Sequence, residues 1–176
     1  MKRILKHGIV ATLVAVALVS AKTARAEDEP AKAQAAVANF KLADPGLKTF
    51  FANSAGYVIL PSIGEGGFII GGEHGHGLLY EKGKPTGKVT LTEVSVGAQV
   101  GGGSFSEVIF FETQAALNSF KTTKYEMSAA AKATVAASGA AANAKYDQGI
   151  AVFTLPKSGA MVAAAVGGQK FKFEPL

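Results

Sequence analysis

The spacing of apolar positions changes near residue 56, and this change predicts helices before it and strands after it. Within 27–43, one apolar stripe recurs at the i, i+3, i+4, i+7 spacing of a helix: Ala33, Ala36, Val37 and Phe40. Asp44 and Pro45 end this run, because a residue before proline avoids the α region, and Asp44 can serve as the N-cap of a second helix. The apolar face of that second helix is Leu47, Phe50 and Phe51.

Short apolar runs cut by glycine follow from Tyr57 onward, which is the pattern of an antiparallel sheet. The predicted strands are 57–62, 67–73, 75–82, 88–101, 105–111, 126–137, 149–155, 159–167 and 169–174. Turns are predicted at 65–67 and 82–87, where glycine, lysine and proline gather. Thr113 can N-cap a separate helix that reaches about Lys124, and 138–148 is a loop or a helical turn.

Two strands carry sharper predictions. In 88–101 the apolar positions change parity between Leu91 and Val94, so a strand with one buried face needs a bulge near Thr92 and Glu93. The alanine-rich stretch 125–138 has helical propensity, but its apolar and polar residues alternate with period 2, which favours a strand.

These elements predict one α+β domain. N-terminal helices pack on a strongly curved antiparallel β-sheet, and closure of that sheet into a barrel is left open. Small residues allow elements to approach closely where the sheet bends.

The first 26 residues have the organisation of a secretory signal peptide. Lys2, Arg3 and Lys6 precede an apolar run, and Ala24-Arg25-Ala26 supplies a small-x-small cleavage site. The apolar run is shorter than the ~20 residues of a spanning helix. We therefore expect cleavage after Ala26, a helical segment at 27–43 and a domain at 44–176. No cysteine follows the run, so we expect a periplasmic or secreted protein that is not a lipoprotein.

Charge then excludes one class of partner. The whole chain has 18 Lys+Arg and 13 Asp+Glu, but five of the basic residues lie in the predicted signal peptide. The remaining chain has 13 of each sign and no arginine. Nucleic-acid-binding proteins keep a basic surplus that neutralises phosphates, so nucleic acid is not an expected partner.

The stretch "GGEHGHG" at 71–77 contains the two histidines outside the signal peptide, His74 and His76. On a strand, side chains two residues apart share a face, so the two imidazoles could begin a metal site. Structural zinc usually has four protein ligands and catalytic zinc three, and no cysteine is present to complete the set. The pair is thus a weak metal candidate, and no cofactor is predicted. The glycines of this stretch are better explained by tight curvature or close packing.

Enzymatic chemistry has little support in the sequence. The glycines match neither G-x-G-x-x-G nor a loop ending in G-K-[ST]. Ser104 follows three glycines but is not part of G-x-S-x-G, because residue 106 is serine. We therefore expect a protein without catalytic activity.

Membrane contact is the favoured alternative. Residues 41–51 combine lysines with apolar side chains on two short helices, as segments at a lipid interface do. A second lysine cluster lies in the predicted turn that follows the histidine strand. The candidate lipid-binding residues are Lys41, Leu47, Lys48, Phe50, Phe51, Lys82, Lys84 and Lys88. The competing interpretation is that Phe50 and Phe51 simply pack the helices onto the sheet.

From about Asp44 to Pro175 the chain resembles the SYLF-domain family. The resemblance rests on the glycine pairs around "GGEHGHGLLYEKGK", the run "SEVIFFET" and the closing "GGQKF". It implies a non-enzymatic domain that binds anionic phospholipid, and its bacterial members are exported or lipid-anchored. Yeast relatives carry an actin-binding label, but actin is not an expected partner of an exported chain.

Three functions follow as expectations. The first is an exported domain that binds anionic phospholipid at a membrane surface. The second is an envelope structural or protein-interaction module that uses a sheet edge. The third is metal binding through His74 and His76.

Overall fold

The structure is a computed structural model that describes residues 28–66, 70–96, 102–122, 124–127, 133–158 and 168–176. These residues form four helices and an eight-stranded curved sheet, which confirms the predicted α+β class. The helices are α1 (28–43), α2 (Leu47–Asn53), α3 (Gln114–Phe120) and α4 (Ala140–Asn143). The strands are β1 (Gly56–Gly66), β2 (Ile70–Glu81), β3 (Lys84–Val96), β4 (Gly102–Phe111), β5 (Tyr125–Glu126), β6 (Ala133–Val135), β7 (Ile150–Ser158) and β8 (Lys170–Pro175).

The strand order is β5-β8-β3-β2-β1-β4-β7-β6. Neighbours pair antiparallel except β6 and β7, which are parallel, so the sheet is mixed and not wholly antiparallel. The two edge strands are close in sequence, because Glu126 of β5 precedes Ala133 of β6 by seven positions. Seven residues extend at most about 25 Å, whereas a flat eight-stranded sheet would separate its edges by about 34 Å. The connection therefore requires the sheet to curl into the observed half-barrel.

Glycines of β2 allow this curvature. A Cβ on Gly77 would lie 2.1 Å from the carbonyl oxygen of Ile59 on β1, and one on Gly75 would lie 2.8 Å from Cγ1 of Ile63. A side chain at Gly77 would require the β1 backbone to move, and one at Gly75 would require the Ile63 side chain to move. The predicted packing role is confirmed for these two glycines of the 71–77 stretch.

Two hydrophobic cores lie on opposite faces of the sheet. The concave face is identified by Gln169, which precedes β8 and places its Nε2 3.4 Å from Oε2 of Glu107 on β4, although three strands separate β8 from β4. The concave core also contains Leu117 and Phe120 of α3. The convex core lies beneath α1 and α2 and includes Phe40. Both faces of β4 are buried from Phe105 to Phe111 as a result.

The predicted bulge near Thr92 and Glu93 is wrong for the described part of β3. The ladder with β2 continues without a register shift from Lys88 to Val96, and the shift lies instead between Leu79 and Tyr80 of β2. Val89 and Leu91 of β3 lie in the concave core, and the ladder with β2 keeps its register beyond them. Residues 97–101 lie outside the described part.

Several predicted boundaries also change. The two strands predicted at 67–73 and 75–82 belong to the single strand β2, and the turn after it consists of Lys82 and Gly83 alone. Both turn residues have positive φ, 49° and 76°, as a tight two-residue hairpin requires. The strand predicted at 126–137 is observed as β5 and β6 at opposite sheet edges, and 128–132 lies outside the described residues. The predicted strand 159–167 and the predicted signal peptide lie outside them as well.

Candidate functional site

A row of three aromatic rings connects the helices to the lysine turn. Lys41 Nζ at the end of α1 lies 4.8 Å from the ring centroid of Phe51 on α2. Phe51 meets Tyr57 of β1 edge to face at 4.9 Å, and Tyr57 stacks on Tyr80 of β2 at 5.1 Å with an interplanar angle of 7°. Tyr80 lies two residues before Lys82. Phe51 and Tyr57 are half-buried and Tyr80 is buried in the convex core, so the row is mainly packing between α2, β1 and β2.

The candidate residues differ in exposure. Lys48, Lys82, Lys84 and Lys88 are exposed, and Lys41 is half-buried beside its aromatic partner. Leu47 is fully buried in the convex core, so in this structure its side chain packs the helix and is not accessible to a membrane.

The two phenylalanines of α2 are half-buried. The Phe50 ring contacts the rings of Phe110, Tyr146 and Phe153 at 5.1 to 5.4 Å. Phe51 contacts Phe110 at 4.8 Å in addition to Tyr57. These contacts are those of helix packing on the sheet, which is the competing interpretation given for this pair.

Leu42 belongs to the 41–51 segment for which membrane contact was predicted. Its side chain is 82% exposed and adjoins Lys41 in the last turn of α1. The sequence indicates this exposure, because position 42 does not belong to the apolar stripe of α1, which ends at the buried Phe40.

The neighbouring carboxylate does not neutralise the positive charge of the lysine turn, which comprises Lys82, Lys84 and Lys88. Glu81, the neighbouring carboxylate, forms an ion pair with Lys121 of α3 and accepts a hydrogen bond from Thr86 Oγ1 at 2.8 Å. Burial opposes ionisation of Glu81, but the bonds from Lys121 and Thr86 outweigh it and lower the pKa of this carboxyl. Within the described residues, no ion pair involves Lys82 or Lys84.

The tyrosines beneath the lysines stay neutral. Burial and the adjacent Tyr80 phenol raise the pKa of Tyr57 to about 12. Burial also raises the pKa of Tyr80. Both phenols are therefore neutral near pH 7, and Tyr57 is half-buried whereas Tyr80 is buried.

The histidine pair lies on the convex face of β2, beyond the part covered by α1 and α2. Both side chains are exposed, and their Nε2 atoms are 3.0 Å apart. Thr90 Oγ1 on β3 lies 3.3 Å from His76 Nδ1. Across the described ranges, no cluster of three or more His, Cys, Asp or Glu side chains could hold a metal ion.

A buried carboxylate, Asp44, borders an open cleft of about 510 Å³ between the α1–α2 junction and the start of α4. Its oxygens accept backbone N–H groups of Gly46 at 2.9 Å, Ala141 at 2.6 Å and Gly139 at 3.4 Å. Burial raises the pKa of Asp44, but these backbone bonds outweigh it and lower the pKa overall. The ionised carboxylate therefore has a structural role, because it accepts hydrogen bonds from backbone N–H groups of both segments.

No family model matches the chain. It is 25% identical over 130 residues to a curated protein of Aeromonas veronii, Beta cell expansion factor A. The alignment covers 72% of this chain and 49% of that protein, so the chain spans about half the length of this relative. No helix in the described part of the chain is long and apolar enough to cross a membrane.

Proposed function

We propose that the protein is an exported, non-enzymatic domain that binds anionic phospholipid at a membrane surface. The observation that carries this proposal is the exposed Leu42, which adjoins Lys41 at the end of α1, while the exposed Lys82 and Lys84 supply further positive charge. Exposed apolar side chains together with lysines partition into a lipid headgroup layer. The resemblance to SYLF domains supports the same function.

The charges set the expected strength and salt dependence. A lysine near an anionic surface contributes ~1 kcal/mol, and salt screens this attraction. Insertion of a leucine side chain adds about 1.5 to 3 kcal/mol. Binding should therefore depend on both lipid charge and Leu42. The exported chain would meet anionic lipid in the periplasm or outside the cell.

Vesicle co-sedimentation tests the proposal. The purified protein should pellet with phosphatidylcholine vesicles that contain phosphatidylglycerol or cardiolipin, and not with phosphatidylcholine alone. Lys82→Ala/Lys84→Ala should weaken binding at low salt by roughly thirtyfold, the equivalent of ~2 kcal/mol. The matched pair Lys145→Ala/Lys157→Ala removes the same charge from exposed positions before β7 and on β7, and it should bind normally.

A second pair of variants isolates the apolar contribution. Leu42→Ala should weaken vesicle binding by about tenfold at any salt concentration. Leu176→Ala removes an equally large side chain that is 67% exposed at the C-terminus, and it should bind like the unmodified protein. Equal binding to neutral and anionic vesicles, or none to either, would refute the proposal. Capture of an envelope protein without vesicle binding would favour the interaction-module alternative.

A further inference from the structure

The His74–His76 pair has a geometry that lipid binding does not use. The two Nε2 atoms are 3.0 Å apart, and the ring planes are nearly perpendicular at 88°. We propose that this pair chelates a divalent transition metal ion of tetragonal geometry, with Cu²⁺ preferred. The remaining coordination positions would be filled by water.

The separation of the nitrogens allows both to bind the same ion. Imidazole nitrogens bind such ions at about 2.0–2.1 Å. Two ligands in cis positions of a square, at 90°, are then about 2.8–3.0 Å apart, whereas a tetrahedral angle separates them by about 3.3–3.4 Å. The observed 3.0 Å is that of a hydrogen bond between the two imidazoles in this structure, and both nitrogens are close enough to bind one ion; nitrogen ligands bind Cu²⁺ more tightly than Ni²⁺ or Zn²⁺.

The strand holds both imidazoles on one face. β2 pairs on both sides at these positions, His74 with Gly64 and Thr92 and His76 with Ser62 and Thr90. The backbone beneath the pair is therefore fixed by two ladders. The four residues paired with the histidines are small and uncharged, and Lys170 and Lys172 lie on the same face one strand further away.

Thr90 orients one of the two ligands. Its Oγ1 lies 3.3 Å from His76 Nδ1, so an Nδ1–H that donates to this hydroxyl leaves the Nε2 lone pair for the metal. Metal-binding histidines typically donate their second ring N–H to such a partner, which fixes the tautomer and the ring direction. Two protein ligands fall short of the three or four of a zinc site, so the site suits an exchangeable Cu²⁺ ion.

Calorimetric titration of the untagged full chain with Cu²⁺ tests the proposal, together with electron paramagnetic resonance of the bound ion. One equivalent should bind, and the spectrum should show coupling to two imidazole nitrogens. His74→Ala and His76→Ala should each lower the affinity by more than tenfold, and Thr90→Val should lower it by about tenfold. His7→Ala is the matched control, because the chain contains three histidines and this one lies in the predicted signal peptide.

Three results would overturn the proposal. The first is unchanged Cu²⁺ affinity in the His74→Ala/His76→Ala double variant. The second is a spectrum with a single imidazole nitrogen. The third is tighter binding of Zn²⁺ than of Cu²⁺, because that order contradicts a tetragonal site. Thermal unfolding of each variant, which should be unchanged because both histidines are exposed, separates loss of a ligand from loss of the fold.

Discussion

Two glycines of neighbouring strands, Gly77 and Gly64, have opposite surroundings. A Cβ on Gly77 would lie 2.1 Å from the carbonyl oxygen of Ile59, whereas nothing lies within 4 Å of the corresponding position on Gly64. The sequence indicates that glycines serve packing in this region, but it does not indicate which of them could be replaced by a residue with a side chain. That tolerance depends on how closely the partner strand approaches, which only the curled sheet determines.

Gly77→Ala should destabilise the protein by about 3 kcal/mol or more, because β1 backbone must move to admit the methyl group. Gly64→Ala is the matched control at a strand glycine in open space, and it should change stability by less than about 1 kcal/mol. Urea unfolding followed by circular dichroism measures both. Equal losses in the two variants would show that the clash at Ile59 is not the cause.

At the scale of elements, the start of a helix could be predicted where the capping side chain bonds only to the first turn of that helix. Thr113 is observed as the N-cap of α3, and its Oγ1 accepts a hydrogen bond from Ala116 N at 3.2 Å, as predicted. Asp44 was predicted to cap α2, but the observed N-cap is Gly46. The Asp44 carboxylate accepts from Gly46 N and also binds Gly139 and Ala141. A capping rule that considers only neighbouring residues cannot predict those long-range hydrogen bonds.

Thr113→Ala should destabilise the protein by about 1 kcal/mol, because the Ala116 N–H loses its acceptor at the start of α3. The loss should appear in global unfolding, since α3 buries Leu117 and Phe120 in the concave core. Thr113→Ser retains a hydroxyl and should recover most of the stability. A serine variant as unstable as the alanine variant would assign the loss to the missing methyl group and not to the cap.

At the scale of the whole molecule, Asp44 joins two regions that are 97 positions apart in sequence. Its carboxylate fixes the α1–α2 junction to the residues that begin α4, and Ala141 of α4 lies in the convex core with Phe40 and Leu47. Since its pKa is lowered in the folded state, its ionised form stabilises the fold. That contribution is present above pH ~3.9, the ordinary value of an unfolded chain, and is lost as pH falls through the folded pKa.

Asp44→Asn should cost about 2 kcal/mol at pH 7, because the neutral amide presents one acceptor and two donors to three backbone N–H groups. The difference from the unmodified protein should shrink as pH falls below ~3.9. Urea midpoints between pH 7 and pH 3 measure this. Asp147→Asn, at an exposed aspartate, is the control and should leave the midpoints unchanged. A difference that stays constant over this range would contradict the assigned role.

The sequence by itself determined the α+β class, the helix at 28–43, the Thr113 cap and most strand positions, because periodicity and local capping need only neighbouring residues. Tertiary structure decided the mixed strand order, the regular ladder through Thr92 and the burial of Leu47. It also stacked Tyr57 of β1 on Tyr80 of β2. These features depend on which strands pair and on the hydrophobic cores that cover both sheet faces, and such contacts join residues far apart in sequence.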